Sequence, residues 1–180
     1  MKKLIIGALV GSIILFIWQF LSWAMLDLHG SQMEHTAKQD QLMEAINAAG
    51  LEDGTYFMPR MPRDADPAAA QAAMEESIGE PWAVLQYRNE MKAQGATNFI
   101  RGWAISFVAV LLLGWLLGQF REVTLSNAVI AAVCVGFIGY LTIPYLNSVW
   151  FEGNTIPDLI DAIVPWALAG AWLGWWMPRQ

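Results

Sequence analysis

The sequence predicts an all-α integral membrane protein, a four transmembrane helix bundle with a small α/β extracytoplasmic insert between helices 1 and 2. Hydrophobic residues make up 56% of the chain and charged residues only 14%, against roughly 25% charged in an average soluble domain. Four long apolar stretches each reach the length of about 20 residues that a bilayer crossing requires. One polar segment separates the first of these stretches from the other three.

The first predicted span covers residues 4–26, which are uncharged over 23 positions and follow Lys2 and Lys3. A cleaved signal peptide is the alternative, with Ser22-Trp23-Ala24 as its processing site. The apolar core of a signal peptide is only about 7–15 residues long. The length of this stretch therefore favours a retained transmembrane helix.

The insert is predicted at residues 27–97 and carries most of the charge. It contains twelve of the sixteen acidic residues and five of the ten basic ones, and the net charge of the chain is −6. Nucleic-acid binding is not expected, because phosphate contacts need clustered Lys and Arg. Two short runs with strand character, at 55–58 and 83–87, could pair with each other.

Two helices are predicted within the insert. Thr36 and Gln39 match a capping box, so the first helix is expected to begin there and to stop at Gly50. Asp66 and Pro67 form a cap followed by a first-turn proline, which predicts the start of the second helix.

The remaining spans are predicted at residues 102–120, 128–150 and 156–177. Pro144 in the third span and Pro165 in the fourth each remove a backbone donor, so both predict a bend. Basic residues then set the orientation. The basic residues of the short flanks, Lys2, Lys3, Arg121 and Arg179, all fall on one side, and the short loop of residues 151–155 on the other side has none. The positive-inside rule therefore predicts cytoplasmic termini and a periplasmic insert, in a bacterial inner membrane.

Small residues at a spacing of four recur in all four spans, and helices in lipid associate through such residues because they allow close backbone approach. We predict that these glycines mediate packing within the bundle; the alternative is that one pair faces lipid and forms a dimer. The glycines are Gly7, Gly11, Gly114, Gly118, Gly136, Gly170 and Gly174.

A polar site is predicted near the outer end of the fourth span. Asp158 and Asp161 lie three residues apart on one helix face, and an ionisable residue inside a span is a functional-site candidate. Arg101 lies at similar depth at the entrance of the second span. We predict a direct salt bridge between Arg101 and Asp161, since the arginine fork suits a carboxylate. A solvent-filled ligand or ion pocket, and two exposed unpaired charges, remain alternatives.

Other polar residues reach the same layer: Ser22, Asp27, His29, Tyr145 and Asn147. For Asp27, His29 and Asp158 we favour an interfacial position, in which the side chains contact headgroups or water.

No catalytic residue, metal site or cofactor is predicted. The sequence contains none of the G-x-S-x-G, HExxH or phosphate-binding glycine motifs, and His29 and His35 lack companion ligands at metal spacing. The sole cysteine, Cys134, excludes an intramolecular disulfide and is interpreted as a buried thiol. Seven tryptophans are assigned to aromatic belts at the two interfaces: Trp23, Trp103 and Trp150 outside, and Trp115, Trp172, Trp175 and Trp176 inside.

Three stretches carry a resemblance: KKLIIGALVGSIILFIWQFLSW, the RGW at the second span, and GYLTIPYLNSVWF before the fourth. In these stretches the chain resembles a family of small bacterial four-span inner-membrane proteins, and the resemblance supplies no activity. The loop layout is also superficially similar to that of claudin-type tetraspans. Those carry a W…C…C signature in the first loop, which has no cysteine here, so adhesion is not implied.

We expect a non-enzymatic accessory, assembly or interaction protein that lies in the lipid bilayer. Its acidic insert would face a membrane or periplasmic protein partner, or a second copy of the chain. The alternative is a small transport or ligand-binding protein that uses a pocket around Arg101 and Asp161. An enzyme is less consistent with the sequence, because carboxylates at i and i+3 without a nucleophile or metal make an unusual active site.

Overall fold

The computed structural model describes residues 1–93 and 95–177. The chain forms two compact units: a helical unit of residues 1–34 and 95–177, and a cap unit of residues 35–93. The described residues include four helices that are long and apolar enough to cross a membrane, with mean hydropathy between 1.3 and 2.4. The predicted number of apolar helices is therefore confirmed.

The helical unit contains α1 (Lys2–Phe20) with a π-helical turn (Leu21–Met25), α4 (Ala96–Leu117), α5 (Leu125–Tyr140) with a second π-helical turn (Leu141–Tyr145) and α6 (Leu146–Trp150), and α7 (Ile156–Trp176). These bounds lie within three residues of the predicted ones except at the start of α4, which lies six residues before the predicted start at residue 102. Arg101 therefore lies in the second turn of a helix rather than at its entrance.

The two interior prolines have different outcomes. Around Pro144 the backbone forms the π-helical turn Leu141–Tyr145 between α5 and α6. A π-turn is one of the usual ways in which a helix accommodates a missing hydrogen bond. At Pro165, in contrast, α7 continues without interruption from Ile156 to Trp176.

The helices of the bundle pack in the order α4, α1, α7, α5, and α4 also touches α5. Small residues dominate where α5 meets α7, whereas larger side chains fill the contact of α1 with α4. The buried core consists of Ala8, Leu15, Val110, Leu113, Leu117, Ala128, Ala132, Ala169 and Leu173.

Three glycines lie where α5 and α7 approach each other. A Cβ atom at Gly136 would overlap the carbonyl oxygen of Ala162, and one at Gly170 would lie 2.6 Å from the Cβ of Ala132. A Cβ at Gly174 would lie 2.8 Å from a side-chain carbon of α5. Real Cβ atoms do not approach that closely, so the spacing of these two helices depends on the glycines.

The other predicted glycines differ in what they contact. A Cβ at Gly11 would lie 2.7 Å from Cγ1 of Val110, and one at Gly114 would lie 2.6 Å from Cδ1 of Leu4. Both therefore lie in the contact of α1 with α4. Gly118 follows the end of α4, and the atoms nearest to its Cβ position belong to the preceding turn of the same chain segment. For Gly118 the structure shows no close approach to another helix.

Two tryptophans of α7 form hydrogen bonds to the backbone of α1. Both are assigned from the sequence to an aromatic belt at the membrane interface, and that assignment does not predict these hydrogen bonds. The Nε1 of Trp172 donates to the carbonyl oxygen of Gly7, and that of Trp176 donates to Lys3, both at 2.9 Å. A Cβ at Gly7 would lie only 3.0 Å from Cδ1 of Trp176. The absence of a side chain at Gly7 therefore makes room for an indole ring.

Cys134 is exposed on α5, so its interpretation as a buried thiol is wrong. The buried face of α5 carries Ala128, Ala132, Gly136 and Tyr140, which recur every four residues. Cys134 lies halfway between two of these positions and therefore on the opposite side of the helix.

The cap unit contains two helices, α2 (Gln39–Ala48) and α3 (Pro67–Glu76), and two strands. Strand β1 (Gly54–Met58) pairs antiparallel with β2 (Ala83–Tyr87). This pairing confirms the two predicted strand runs and the small α/β character of the insert.

The helix starts in the cap unit were predicted with mixed success. Asp66 caps α3 as expected, because its carboxylate accepts from the backbone N–H groups of Ala68 and Ala69 at 3.1 Å. The predicted capping box at Thr36 is wrong. Its hydroxyl accepts the N–H of Lys38, at 3.3 Å, rather than the N–H of Gln39, and α2 begins three residues after Thr36.

Candidate functional site

The predicted polar site is centred on Asp161, in the second turn of α7. One carboxylate oxygen, Oδ1, accepts hydrogen bonds from Nε1 of Trp18 at 2.9 Å and from Oγ of Ser22 at 2.7 Å. The other, Oδ2, lies 3.0 Å from Nε2 of His29. Asp161 therefore joins α7 to α1 and to the segment that follows α1.

A chain reversal after α1 brings His29 to this carboxylate. Asp27 adopts a positive φ of 47°, and a short 3₁₀ turn covers Gly30–Gln32. A Cβ at Gly30 would lie 2.6 Å from a carboxylate oxygen of Asp27. Only glycine fits there without displacing that side chain, so Gly30 is part of what positions His29.

Both ring nitrogens of His29 have partners. Nδ1 lies 2.7 Å from Oε1 of Gln32. The amide nitrogen of Gln32 donates to Oδ2 of Asp158 at 2.6 Å and to the carbonyl oxygen of Asn154 at 2.8 Å. Because that amide nitrogen is directed to two acceptors, the amide oxygen faces the ring and accepts a proton from Nδ1. With Asp161 accepting from Nε2, the geometry suits the doubly protonated imidazolium.

The electrostatics agree with this protonation state. His29 is 5% exposed, and its burial by itself lowers the pKa. The hydrogen bonds to Gln32 and Asp161, together with the negative charges of Asp161 and Asp158, outweigh burial and raise the pKa above the ordinary 6.5. Trp23 stacks on the imidazole ring with a centroid distance of 4.0 Å and an interplanar angle of 5°, an arrangement that favours a cation over the indole face.

We call this set of side chains the Asp161 cluster: Trp18, Ser22, Trp23, His29, Gln32, Asp158 and Asp161. A further contact lies beside it, where the amide of Asn154 donates to Oγ of Ser31 at 2.9 Å. The polar atoms of the cluster are largely satisfied by one another. Chemically, the arrangement fixes the segment after α1 to the start of α7.

The predicted salt bridge between Arg101 and Asp161 is wrong. Arg101 is exposed, and within residues 1–93 and 95–177 the ion pair of Asp161 is with His29. The physical reason is the helix order. Arg101 lies on α4, which packs mainly on α1, whereas Asp161 lies on α7, which packs on α5 and α1. The carboxylate of Asp161 contacts Trp18, Ser22 and His29 instead, so equal predicted depth did not imply a contact.

Of the other predicted site residues, some lie in the Asp161 cluster and some lie outside it. The side chains of Asp158 and Asp161 share the cluster, but His29 is buried in it rather than interfacial. Tyr145 is exposed and its ring contacts Tyr140 at a centroid distance of 5.7 Å. Asn147 is exposed as well, and neither residue forms a hydrogen bond to the Asp161 carboxylate.

Two small cavities reach Asp161. One, of about 180 Å³, lies among α1, α4 and α7 and is bounded by Trp18, Ser106 and Trp166 among others. The other, of about 270 Å³, lies between the third apolar helix and α7, next to Gly136 and Pro144. Arg101 lines neither cavity.

Within the described residues, no group of three or more His, Cys, Asp or Glu side chains is placed to hold a metal ion. Comparison of the chain with protein-family models, with curated proteins and with solved structures gives no match. The geometry of the chain itself is therefore the basis for the proposals that follow.

Proposed function

We propose that this protein is a non-enzymatic accessory or assembly protein of a bacterial inner membrane and that the cap unit binds a protein partner. The observation that carries the proposal is the exposure of large apolar side chains on this small, acidic unit. Ile78 is 79% exposed, Met74 58% and Trp82 46%. Exposed apolar groups framed by charge are typical of protein interaction sites.

The helical unit supports the same proposal by its internal contacts. Its close α5–α7 contact and the mutually bonded Asp161 cluster hold the apolar helices together. A cluster whose donors and acceptors are already paired has few groups left for chemistry. This arrangement suits a stable membrane anchor for the cap unit.

The proposed orientation has both termini in the cytoplasm and the cap unit in the periplasm. Fusing a reporter that is active only outside the cytoplasm tests it directly. We expect activity for fusions after Gly50 and after Gly153, and none after Arg121 or Gln180. Activity after Arg121 would be incompatible with four crossings in this orientation.

The partner proposal predicts a stoichiometric protein that copurifies with the full-length chain in mild detergent. The double variant Ile78→Asp/Trp82→Asp should reduce its recovery by about tenfold, because an introduced carboxylate cannot be buried without a partner group. The measurement is quantitative mass spectrometry of the purified complex, with the amount of partner normalised to that of the chain.

The matched control is Leu42→Asp/Met43→Asp, which places the same charges on α2 at side chains that are 52% and 48% exposed. We expect this control to retain the partner. Purification of the wild-type chain as a lone monomer contradicts the proposal. A partner that turns out to be a second copy of the chain is consistent with it.

A second candidate is a ligand-binding or transport protein, and the two cavities at Asp161 favour it. Both are smaller than the roughly 300–1,000 Å³ of ordinary ligand pockets, so only a ligand of a few non-hydrogen atoms would fit. Native mass spectrometry would then detect a small molecule on the wild-type chain, and Ser106→Leu, which fills the smaller cavity, would remove it.

A further inference from the structure

A groove of about 720 Å³ lies within the cap unit, between the loop of residues 59–66 and one face of α3. The α3 side of the groove is formed by residues at helical spacing: Pro67, Ala70, Ala73, Met74 and Ser77. The small side chains of the two alanines leave the space that the groove occupies. Met61 and Met74 add flexible apolar surface, which adapts well to different partners.

Two arginines give the groove a charge opposite to that of its surroundings. The cap unit contains ten acidic and five basic residues, yet Arg60 and Arg63 both line this one groove. Both are exposed, and neither forms a hydrogen bond or an ion pair with a residue that the structure describes. The neighbouring carboxylate of Asp66 is directed to the backbone of α3. Two guanidinium groups are therefore available to a ligand.

A second hollow, of about 740 Å³, shares the wall formed by Pro59, Ala73 and Ser77. Its rim carries Glu76 and Glu80, with the indole of Trp82 beside them. The surface thus changes sign within a short distance, from two arginines to two glutamates. A uniformly anionic surface, such as a membrane rich in acidic lipids, would be repelled by the glutamates. A peptide can match both charges.

From these observations we infer that the groove binds an extended peptide segment of a partner protein whose acidic side chains pair with Arg60 and Arg63. Guanidinium groups bind carboxylates through two parallel hydrogen bonds, which gives direction as well as attraction. Apolar side chains of the segment pack on Met61 and Met74. The inference rests on the proposed function, which it deepens by naming the chemistry of the partner.

Selection of random 15-residue peptides on the full-length protein, held in nanodiscs of zwitterionic lipid, tests this inference. We expect the enriched peptides to combine acidic with apolar residues. Their affinity, measured by fluorescence anisotropy, should fall about tenfold in Arg60→Gln/Arg63→Gln, because the variant loses two solvent-exposed ion pairs, each of which contributes only modestly. Added salt should weaken binding to the wild-type chain.

The matched control is Lys38→Gln/Lys92→Gln, which removes the same net charge from the cap unit at exposed positions outside the groove. We expect its peptide affinity to stay within about twofold of wild type. Enrichment of peptides that lack acidic residues, no enrichment at all, or equal losses in the two double variants would overturn the inference. Displacement of the selected peptides by phosphatidylglycerol vesicles would also overturn it, in favour of a lipid site.

The groove and the proposed function can fail separately. If a copurifying partner stays bound to Arg60→Gln/Arg63→Gln, the peptide-binding role of the groove is contradicted and the accessory role is not. If acidic peptides bind tightly and depend on the two arginines, but the chain purifies without any partner, peptide binding by the groove is supported and the accessory role is contradicted. Thermal unfolding of each variant shows whether the exposed substitutions leave the fold unchanged.

Discussion

Replacing Asp161 with alanine is expected to lower the free energy of unfolding by about 3 kcal/mol, because removal of one partner from a buried ion pair leaves the other charge uncompensated. The substitution removes the hydrogen-bond acceptor of Trp18 and Ser22 and the ion-pair partner of His29. Reversible unfolding of the purified chain in detergent measures the loss. The side chain of Asp161 is 23% exposed, which keeps the expected value at the lower end for buried pairs.

Arg101→Ala is the matched control. It removes a charge from the same predicted depth, but that charge is exposed and has no ion-pair partner in the part of the chain that the structure describes, so we expect a change within about 0.5 kcal/mol. A loss of unfolding free energy as large as that of Asp161→Ala would instead support the salt bridge between Arg101 and Asp161 that the sequence predicted. In the double variant His29→Ala/Asp161→Ala, the loss should be smaller than the sum of the single losses. Strict additivity would show that the two side chains do not interact.

The same pair gives the stability a pH dependence whose sign is fixed by His29. Its pKa is raised in the folded chain by Gln32, Asp161 and Asp158, so the pair contributes fully below the unfolded value of about 6.5. That contribution is lost as the pH rises through the folded pKa. The difference in unfolding free energy between wild type and His29→Gln should therefore be larger at pH 6 than at pH 9. A difference that grows with pH would contradict an imidazolium at this site.

The elements of this chain were largely predictable because they depend on local composition. Long apolar stretches give the four helices that are long and apolar enough to cross a membrane, and the cap before Pro67 gives the start of α3. The error at α4 has a local cause too. Residues 96–101 are polar enough to lie outside an apolar window, yet nothing in them prevents helix formation, so the helix extends through them.

The site was predicted only in part, because it depends on which helices are neighbours. Predicted depth along each span grouped Asp161 with Ser22 and His29, which it contacts, but it gave no information on which helices are neighbours. Arg101 was therefore assigned to a carboxylate whose partners lie on α1 and on the segment that follows it. His29 was named in this layer but assigned an interfacial position. Its burial against Asp161 requires the chain to reverse at Asp27 and Gly30, and a local reversal is not visible in hydropathy.

One sequence signal could have identified the correct partners. His29 and Gln32 are three residues apart, as are Asp158 and Asp161. In the structure His29 contacts Asp161 and Gln32 contacts Asp158. The two segments are therefore antiparallel at this point, and their equal spacing lets both pairs form. Gly30 next to His29 marks the tight turn that makes this match possible.

Alanine substitutions at Gly136 and Gly139 are expected to have opposite effects, although the two glycines are only three residues apart on α5. A Cβ at Gly136 would overlap the carbonyl oxygen of Ala162 and would lie 2.6 Å from Cδ1 of Trp166, whereas one at Gly139 meets no atom within 4 Å. Gly136→Ala must therefore push α7 away, at about 1–3 kcal/mol by comparison with overfilled cores. Gly139→Ala should be neutral or stabilise the helix by up to about 1 kcal/mol, because alanine is the better helix former.

Unfolding of the two variants in detergent, side by side with the wild type, gives the comparison, and each serves as the control for the other. Gly170→Ala tests the same interface from the α7 side, where a Cβ would lie 2.9 Å from the carbonyl oxygen of Ala128, and should resemble Gly136→Ala. Equal effects of Gly136→Ala and Gly139→Ala would contradict the close α5–α7 contact. If Gly136→Ala instead left the monomer stable and abolished a dimer, this glycine would face outward, and the small residues of α5 would serve association between chains.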